Sequence, residues 1–195
     1  KYRLQDSGAK VVITDGENYG KLNEIRNDLP DLQFLIQLDE NLEQDEFNWK
    51  KLLESSSDDY STRQISSDHP CWIIYTSGTT GNPKGALHAH RALLGHLPGY
   101  ELSHDFAPQP SDLAWTPADW AWIGGLANIL LCSWYHGIPV LGFRFRRFDP
   151  EKALDLIEKH CVRNTFLPPT ALKFIRQLPQ LSSRTPSMRS IMSAG

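Results

Sequence analysis

Residues 75–85 read YTSGTTGNPKG, and they continue an uninterrupted apolar run, Cys71-Trp72-Ile73-Ile74-Tyr75. Thr76, Ser77, Thr79 and Thr80 supply aliphatic hydroxyls, Gly78, Gly81 and Gly85 supply bare backbone, and Lys84 supplies a cation behind the stiff Pro83. Glycines let backbone approach a ligand closely and adopt positive φ. Successive N–H groups in such turns make an anion-binding concavity, and an ammonium on a flexible stem can follow a phosphate that moves. Polyphosphate is the ligand this chemistry fits best. Two other phosphate loops do not match. In GxxxxGK[ST] the lysine stands between Gly and a hydroxyl residue, whereas Lys84 stands between Pro83 and Gly85, and Gly78 and Gly81 miss the GxGxxG spacing. A surface linker could share the composition, but not this order directly after a buried strand.

Outward from the loop, strand and helix patterns alternate. Val11–Thr14, Leu32–Leu38, Cys71–Tyr75, Leu113–Thr116, Ile138–Phe143, Thr165–Leu167 and Arg189–Ser193 read as strands. Helical patterns fall at Lys21–Leu29, Asp45–Glu54, Leu87–Leu97, Asp119–Tyr135, Pro150–His160 and Pro169–Leu178, with Leu154, Ile157 and Cys161 on one face of the fifth. Ser55–Asp68 is polar and serine-rich and reads as a surface connection. The alternation predicts an α/β fold with mainly parallel sheets flanked by helices, and the wholly apolar Cys71–Tyr75 is expected to be a central strand. Ser193-Ala194-Gly195 would then stand at the carboxyl end of a parallel strand, where such sheets hold ligands.

Composition narrows the partners. The 195 residues are 40% hydrophobic and 22% charged, as in ordinary globular proteins. Acidic residues outnumber basic ones, 23 to 20, for a formal charge of −3, which argues against broad nucleic-acid or membrane-surface binding. The apolar run Ala121–Tyr135 is shorter than the roughly 20 residues a membrane-spanning helix needs. Cys71, Cys132 and Cys161 are too scattered for a zinc site and suit buried thiols in a reducing compartment, hence a cytoplasmic expectation. The opening KYRLQDSGAKVVITD reads as the interior of a domain, with no signal peptide.

YTSGTTGNPKG resembles the phosphate-binding signature of the adenylate-forming superfamily, which includes acyl-CoA synthetases, aryl-CoA ligases, peptide-synthetase adenylation domains and beetle luciferases. DSGAKVVITD, TPADWAWIGGL (116–126), FLPPTALKFIR and MRSIMSAG resemble further segments of these enzymes, so the whole chain is similar to the middle of their large N-terminal domain. The closest flavour is the acetyl- and medium-chain acyl-CoA synthetase branch. The resemblance implies that a carboxylic acid attacks the α-phosphate of ATP to give an acyl-adenylate and pyrophosphate, and that the thiol of CoA then displaces AMP, with Mg2+ sharing the charge. It implies phosphate contacts from Thr76, Ser77, Gly78, Thr79, Thr80, Gly81 and Lys84, with Thr79 and Lys84 acting on the reacting phosphates. It places Trp122 and, with a weaker claim, Gly124 in the acyl and CoA pocket, with Asp119 and Trp120 as neighbours, and Gly195 on the adenine side. No residue is assigned to metal. The family's Tyr-Gly-x-Thr-Glu segment, ribose-binding Asp and late adenylation Lys are not among these residues, so the isolated chain is expected to be inactive. Two alternatives remain: an adenylation domain that loads a carrier protein, and a non-catalytic nucleotide-binding protein. TPADWAWIGGL speaks against the first.

Other conspicuous residues carry plainer expectations. Trp115 and Trp134 are expected in the core. His88 and His90 are expected to be polar residues at a helix start, diverging too far for a shared metal. Arg144, Arg146 and Arg147 suit a solvated strand edge or a CoA phosphate, and Asp149-Pro150 a helix cap.

Overall fold

A computed structural model describes residues 1–39, 47–76, 81–184 and 186–194. The chain divides into two compact units, Lys1–His90 and Arg91–Gly195. In the first, helix α1 (Tyr2–Asp6) precedes strand β1 (Val11–Thr14), helix α2 (Gly16–Glu24) and strand β2 (Phe34–Gln37). β1 and β2 pair in parallel, with Val11 opposite Phe34. Asp15 starts α2 by accepting the Asn18 amide at 3.1 Å, the capping expected of a short acidic side chain. Asn48 does the same for α3 (Trp49–Ser55), accepting from Lys50 N at 3.0 Å. Residues 40–46 lie outside the described ones, and they include the first two residues of the helix expected at Asp45–Glu54. Residues 55–68 form the exposed connection that their serine-rich composition implies.

The rest of this unit departs from expectation. β3 (Pro70–Thr76) pairs antiparallel with β4 (Lys84–Ala89), making the signature loop the turn of a hairpin. Residues 87–89, expected to be helical, extend this second strand, and α4 starts later, at Ala92–Ser103. The apolar 3.6-residue spacing that suggested an earlier helix overlaps a period-2 strand over only a few residues, too few to separate the two patterns. His88 accordingly stands on β4 opposite Trp72, their rings 6.2 Å apart, rather than at a helix start. Nor is β3 a buried central strand: in this two-stranded sheet Cys71 and Ile73 are exposed, and Trp72, Ile74 and Tyr75 are half-buried.

The second unit carries a parallel sheet, β5 (Ala114–Trp115), β6 (Asn164–Phe166) and β7 (Ser190–Met192), in the order β5-β6-β7. The expected strand 138–143 contributes a single parallel bridge, Val140 to Ala114. One face of the sheet packs Ala114 and Phe166 against Leu97, Tyr100, Ile129, Cys132 and Ile138. The other packs Trp115 and Leu167 against Leu154 and Ile157 of helix α7 (Pro150–His160), Val162 just beyond it, and Ile175 of helix α8 (Pro169–Arg176). Adjacent residues thus serve opposite cores, as the two-residue strand period requires. Asp149 caps α7, accepting the Lys152 amide at 3.2 Å.

The helix expected at 119–135 begins four residues later, at Ile123–Gly125 (α5), widens into a π-helical stretch over Leu126–Leu131, and closes as α6 (Cys132–Tyr135). Its side chains part company with expectation at Trp134, which is 59% exposed, whereas Trp115 is fully buried. Cys132 alone among the cysteines is buried. Cys161 leaves the apolar face assigned to it because it takes the left-handed conformation (φ 54°) that ends α7.

Candidate functional site

The hairpin register fixes the base of the signature loop. Thr76 is the direct partner of Lys84, and Tyr75 of Gly85. A side chain at position 85 would come within 2.8 Å of Ile73 Cγ2 and 3.1 Å of the Tyr75 ring, so glycine allows that ring to lie across the strand. Tyr75 Oη in turn donates to Asp6 Oδ2 at 2.7 Å, tying β3 to α1. That carboxylate bond is also the main reason the phenol is raised above its ordinary value. Gly81 takes φ +94°, which a side chain would strain. Thr76, Gly81 and Lys84 are exposed, and Lys84 makes no ion pair among the described residues. Ser77, Gly78, Thr79 and Thr80 lie outside the described residues. The geometry therefore delivers a solvent-facing ammonium across the strand pair from a threonine, at the mouth of a glycine- and hydroxyl-rich turn.

In the second unit, segment 116–126 is stitched to the carboxyl ends of the sheet. Thr116 Oγ1 donates to the Phe166 carbonyl (2.8 Å) and accepts the Ala118 amide (3.0 Å). Asp119 Oδ1 accepts the Ala121 amide at 2.9 Å, closing the turn before Trp122. Gly124 lies against the Phe166 ring, which an added Cβ would meet at 2.8 Å. Ser193, after β7, donates to the Leu167 carbonyl at 2.8 Å. Trp122 and Gly124 thus share one end of the sheet with the approach to position 195, itself outside the described residues. Trp122 is 72% exposed.

A buried polar network behind this end was invisible in the sequence. Arg189, the residue before β7, grips the buried Asp112 with Nη2 at 2.9 Å from Oδ1 and 2.7 Å from Oδ2. Its Nη1 donates to the carbonyls of His104 (2.7 Å) and Asp105 (2.9 Å). The Asn164 amide completes the set when it is turned to match its neighbours' donors and acceptors, which puts its nitrogen 2.8 Å from Asp112 Oδ1 and its oxygen 3.0 Å from Arg189 Nη2. His104 Nδ1 meets Ser190 Oγ at 2.8 Å, while its buried Nε2 has no hydrogen-bond partner among the described residues. Burial, aided by the Arg189 charge, pulls this imidazole down to about 4. Only the fold brings these groups together, because 77 residues separate Asp112 from Arg189.

Among the described residues there is no cluster of three or more His, Cys, Asp or Glu that could hold a metal ion. Nor is any helix of the described residues long and apolar enough to cross a membrane.

Comparison with known proteins agrees with this architecture. A family model described as "AMP-binding enzyme" matches residues 1–195. The human mitochondrial acyl-coenzyme A synthetase ACSM2B is 27% identical over 197 residues, covering 100% of this chain and 33% of the relative. The mouse mitochondrial acyl-coenzyme A synthetase ACSM4 is 28% identical over 177 residues, covering 90% of this chain and 30% of the relative. Among solved structures, the anthranilate CoA ligase AuaEII in complex with anthranoyl-AMP superposes with a TM-score of 0.86 at 25% identity, covering 100% of this chain and 38% of that one. The inhibitor-bound N-terminal domain of FACL13 from Mycobacterium tuberculosis gives 0.83 at 26% identity, covering 100% and 46%. The chain spans about a third of the length of the curated relatives it matches. With a family model matched from its first residue to its last, the chain belongs to the AMP-binding enzyme family.

Proposed function

We propose that the protein carrying this chain is an AMP-forming acyl-CoA synthetase. A carboxylate oxygen of the acid attacks the α-phosphorus of ATP, the bond to the bridging oxygen breaks, and pyrophosphate leaves. The sulfur of CoA then attacks the acyl carbon and expels AMP. The observation that carries the reading is the hairpin: its register sets Lys84, exposed and without an ion pair among the described residues, opposite Thr76 where the glycine- and hydroxyl-rich sequence joins the two strands. Negative charge grows on the β- and γ-phosphates as pyrophosphate departs, and donors fixed there stabilise it. In this reading Thr76, Ser77, Gly78, Thr79, Thr80, Gly81 and Lys84 hold the phosphates, with Thr79 and Lys84 closest to the reacting group. Magnesium, implied by the family resemblance, finds no carboxylate cluster among the described residues, and no step is assigned to it.

Trp122 forms the wall of the acyl pocket in this proposal, and Gly195 lies on the adenine side. A bulky indole shortens the pocket and favours small or medium acids. In the complete enzyme, Trp122→Ala is expected to shift the optimum towards longer acids in a chain-length series of kcat/KM, and an unchanged profile would remove Trp122 from this role.

The test is isotope exchange between pyrophosphate and ATP, driven by a panel of carboxylic acids, in the full-length protein. Acid-dependent exchange supports the proposal. Its absence with every acid, in protein that is folded, rejects it. The 195 residues alone are expected to show little or no exchange, so robust turnover by the isolated chain would contradict the division of labour proposed here.

A further inference from the structure

The FRFRRF segment forms a groove of about 280 Å³ between the end of residues 138–141 and the start of α7. Arg144, Arg146, Arg147 and Lys152 line it, with Asp149 the one carboxylate among them. Asp149 Oδ1 is already engaged by the Lys152 backbone amide. Arg146, Arg147 and Lys152 are exposed and make no ion pair among the described residues. In a chain with a net charge of −3, this is a local concentration of cations rather than general basicity. The backbone beneath is firmly placed. The Phe145 ring packs 6.2 Å from Trp115, a member of the inner cluster of the second unit, and 5.7 Å from Phe148, which packs against that cluster. Phe143, 41% exposed, meets Phe145 edge-on at 4.8 Å and offers a flat apolar face to the groove.

Guanidinium groups recognise phosphate oxygens through paired N–H bonds, and a lysine adds a mobile point charge. Asp149 and Lys152 belong to the N-terminal cap and first turn of α7, so the positive end of that eleven-residue helix borders the groove. An exposed aromatic ring beside such cations suits a stacked base. At this volume the groove admits phosphate groups and part of a base, but not a whole large ligand. We propose that it is a nucleotide-phosphate site, built from residues that the 75–85 loop does not supply. The proposal stands on the groove itself and rests on the synthetase reading only for the choice of coenzyme A as one probe.

Calorimetric titration of the full-length protein with adenosine 3′,5′-bisphosphate tests it. The variant Arg146→Ala/Arg147→Ala is expected to raise Kd about tenfold or more and to flatten the weakening seen between about 50 and 200 mM salt. Arg146→Lys/Arg147→Lys should fall in between, because charge remains while the paired bonds are lost. Lys152→Gln, a single exposed change, gives a second reading should the double variant fold poorly. Coenzyme A and dephospho-coenzyme A separate the sources. If the wild type prefers the former and the alanine variant does not, the ligand is the 3′-phosphate end of the coenzyme. If both bind alike while the bisphosphate responds to the variants, it is a free nucleotide. An unchanged Kd for the bisphosphate in the alanine variant, or no binding to the wild type at millimolar concentration, overturns the site. Acid-dependent pyrophosphate exchange needs no coenzyme, so it can succeed while the groove fails.

Discussion

Gly125 shows how tightly one residue can be specified. A Cβ there would stand 2.6 Å from the Asp119 carbonyl and 3.0 Å from that of Ala118, both backbone atoms with little room to yield. At Gly124 the obstacle is the Phe166 ring, a side chain that can turn. Gly125→Ala is therefore expected to destabilise by about 1–3 kcal/mol and Gly124→Ala by less, as urea unfolding would show. His104 offers a pH-dependent counterpart. Its folded value of about 4 lies below its ordinary 6.5, so the unfolded chain binds the extra proton between those limits. Stability from this group is complete above pH 6.5 and is lost as the pH falls towards 4, by up to about 3 kcal/mol. The groups around it are Arg189, Asp112, Ser190 and the Tyr100 ring, 4.6 Å away. His104→Gln should flatten that part of the stability profile, measured by denaturant midpoint against pH. Lys84→Ala, at an exposed position, should leave the thermal midpoint almost unmoved while lowering pyrophosphate exchange about a hundredfold.

Elements were legible where local chemistry decides them. Asp149-Pro150 announces α7 and the structure starts it there. Replacing Asp149 by Ala is expected to cost about 1 kcal/mol by thermal denaturation. Val11–Thr14 and the strands around 114, 165 and 191 were equally plain, because short β-branched or apolar runs ended at turn residues. The errors have a different physical origin. Whether Lys84–Ala89 continues as strand or begins a helix depends on its pairing with Pro70–Thr76, a long-range choice that six residues of pattern do not encode. The candidate phosphate loop is proposed from its residue types alone, since glycine, hydroxyl and lysine carry their chemistry locally. The Asp112–Arg189–Asn164 set was not, because each is an ordinary polar residue until the sheet assembles them. Asp112→Ala would leave the largely buried Arg189 only the exposed Asp105 carboxylate, 3.3 Å from Nη1, and a loss of about 3 kcal/mol is expected in chemical unfolding.

Across the whole chain, order is unevenly spread. The stretch from 54 to 71 is exposed at every residue, and 57–66 has neither helix nor strand. Arg63 is the sole basic residue between Lys51 and Lys84 apart from His69. Limited trypsin digestion should cut first after Arg63, and mass spectrometry of the earliest fragments would show a break there ahead of any in α7 or the parallel sheet. The second unit depends instead on continuity, and its least regular helix shows how much. The Leu126–Leu131 stretch winds wider than its flanks, the mark of one residue more than an ordinary spiral accommodates. Loss of a single codon within it would restore uniform winding while Cys132–Tyr135 keep their faces, because the wide turn takes up the missing residue. Ser133 would stay against the Tyr100 hydroxyl it now meets at 2.9 Å, and Cys132 would stay in the cluster that holds Ile138. The same loss from the regular turns of α7, which hold no such slack, would swing everything beyond it through about 100°.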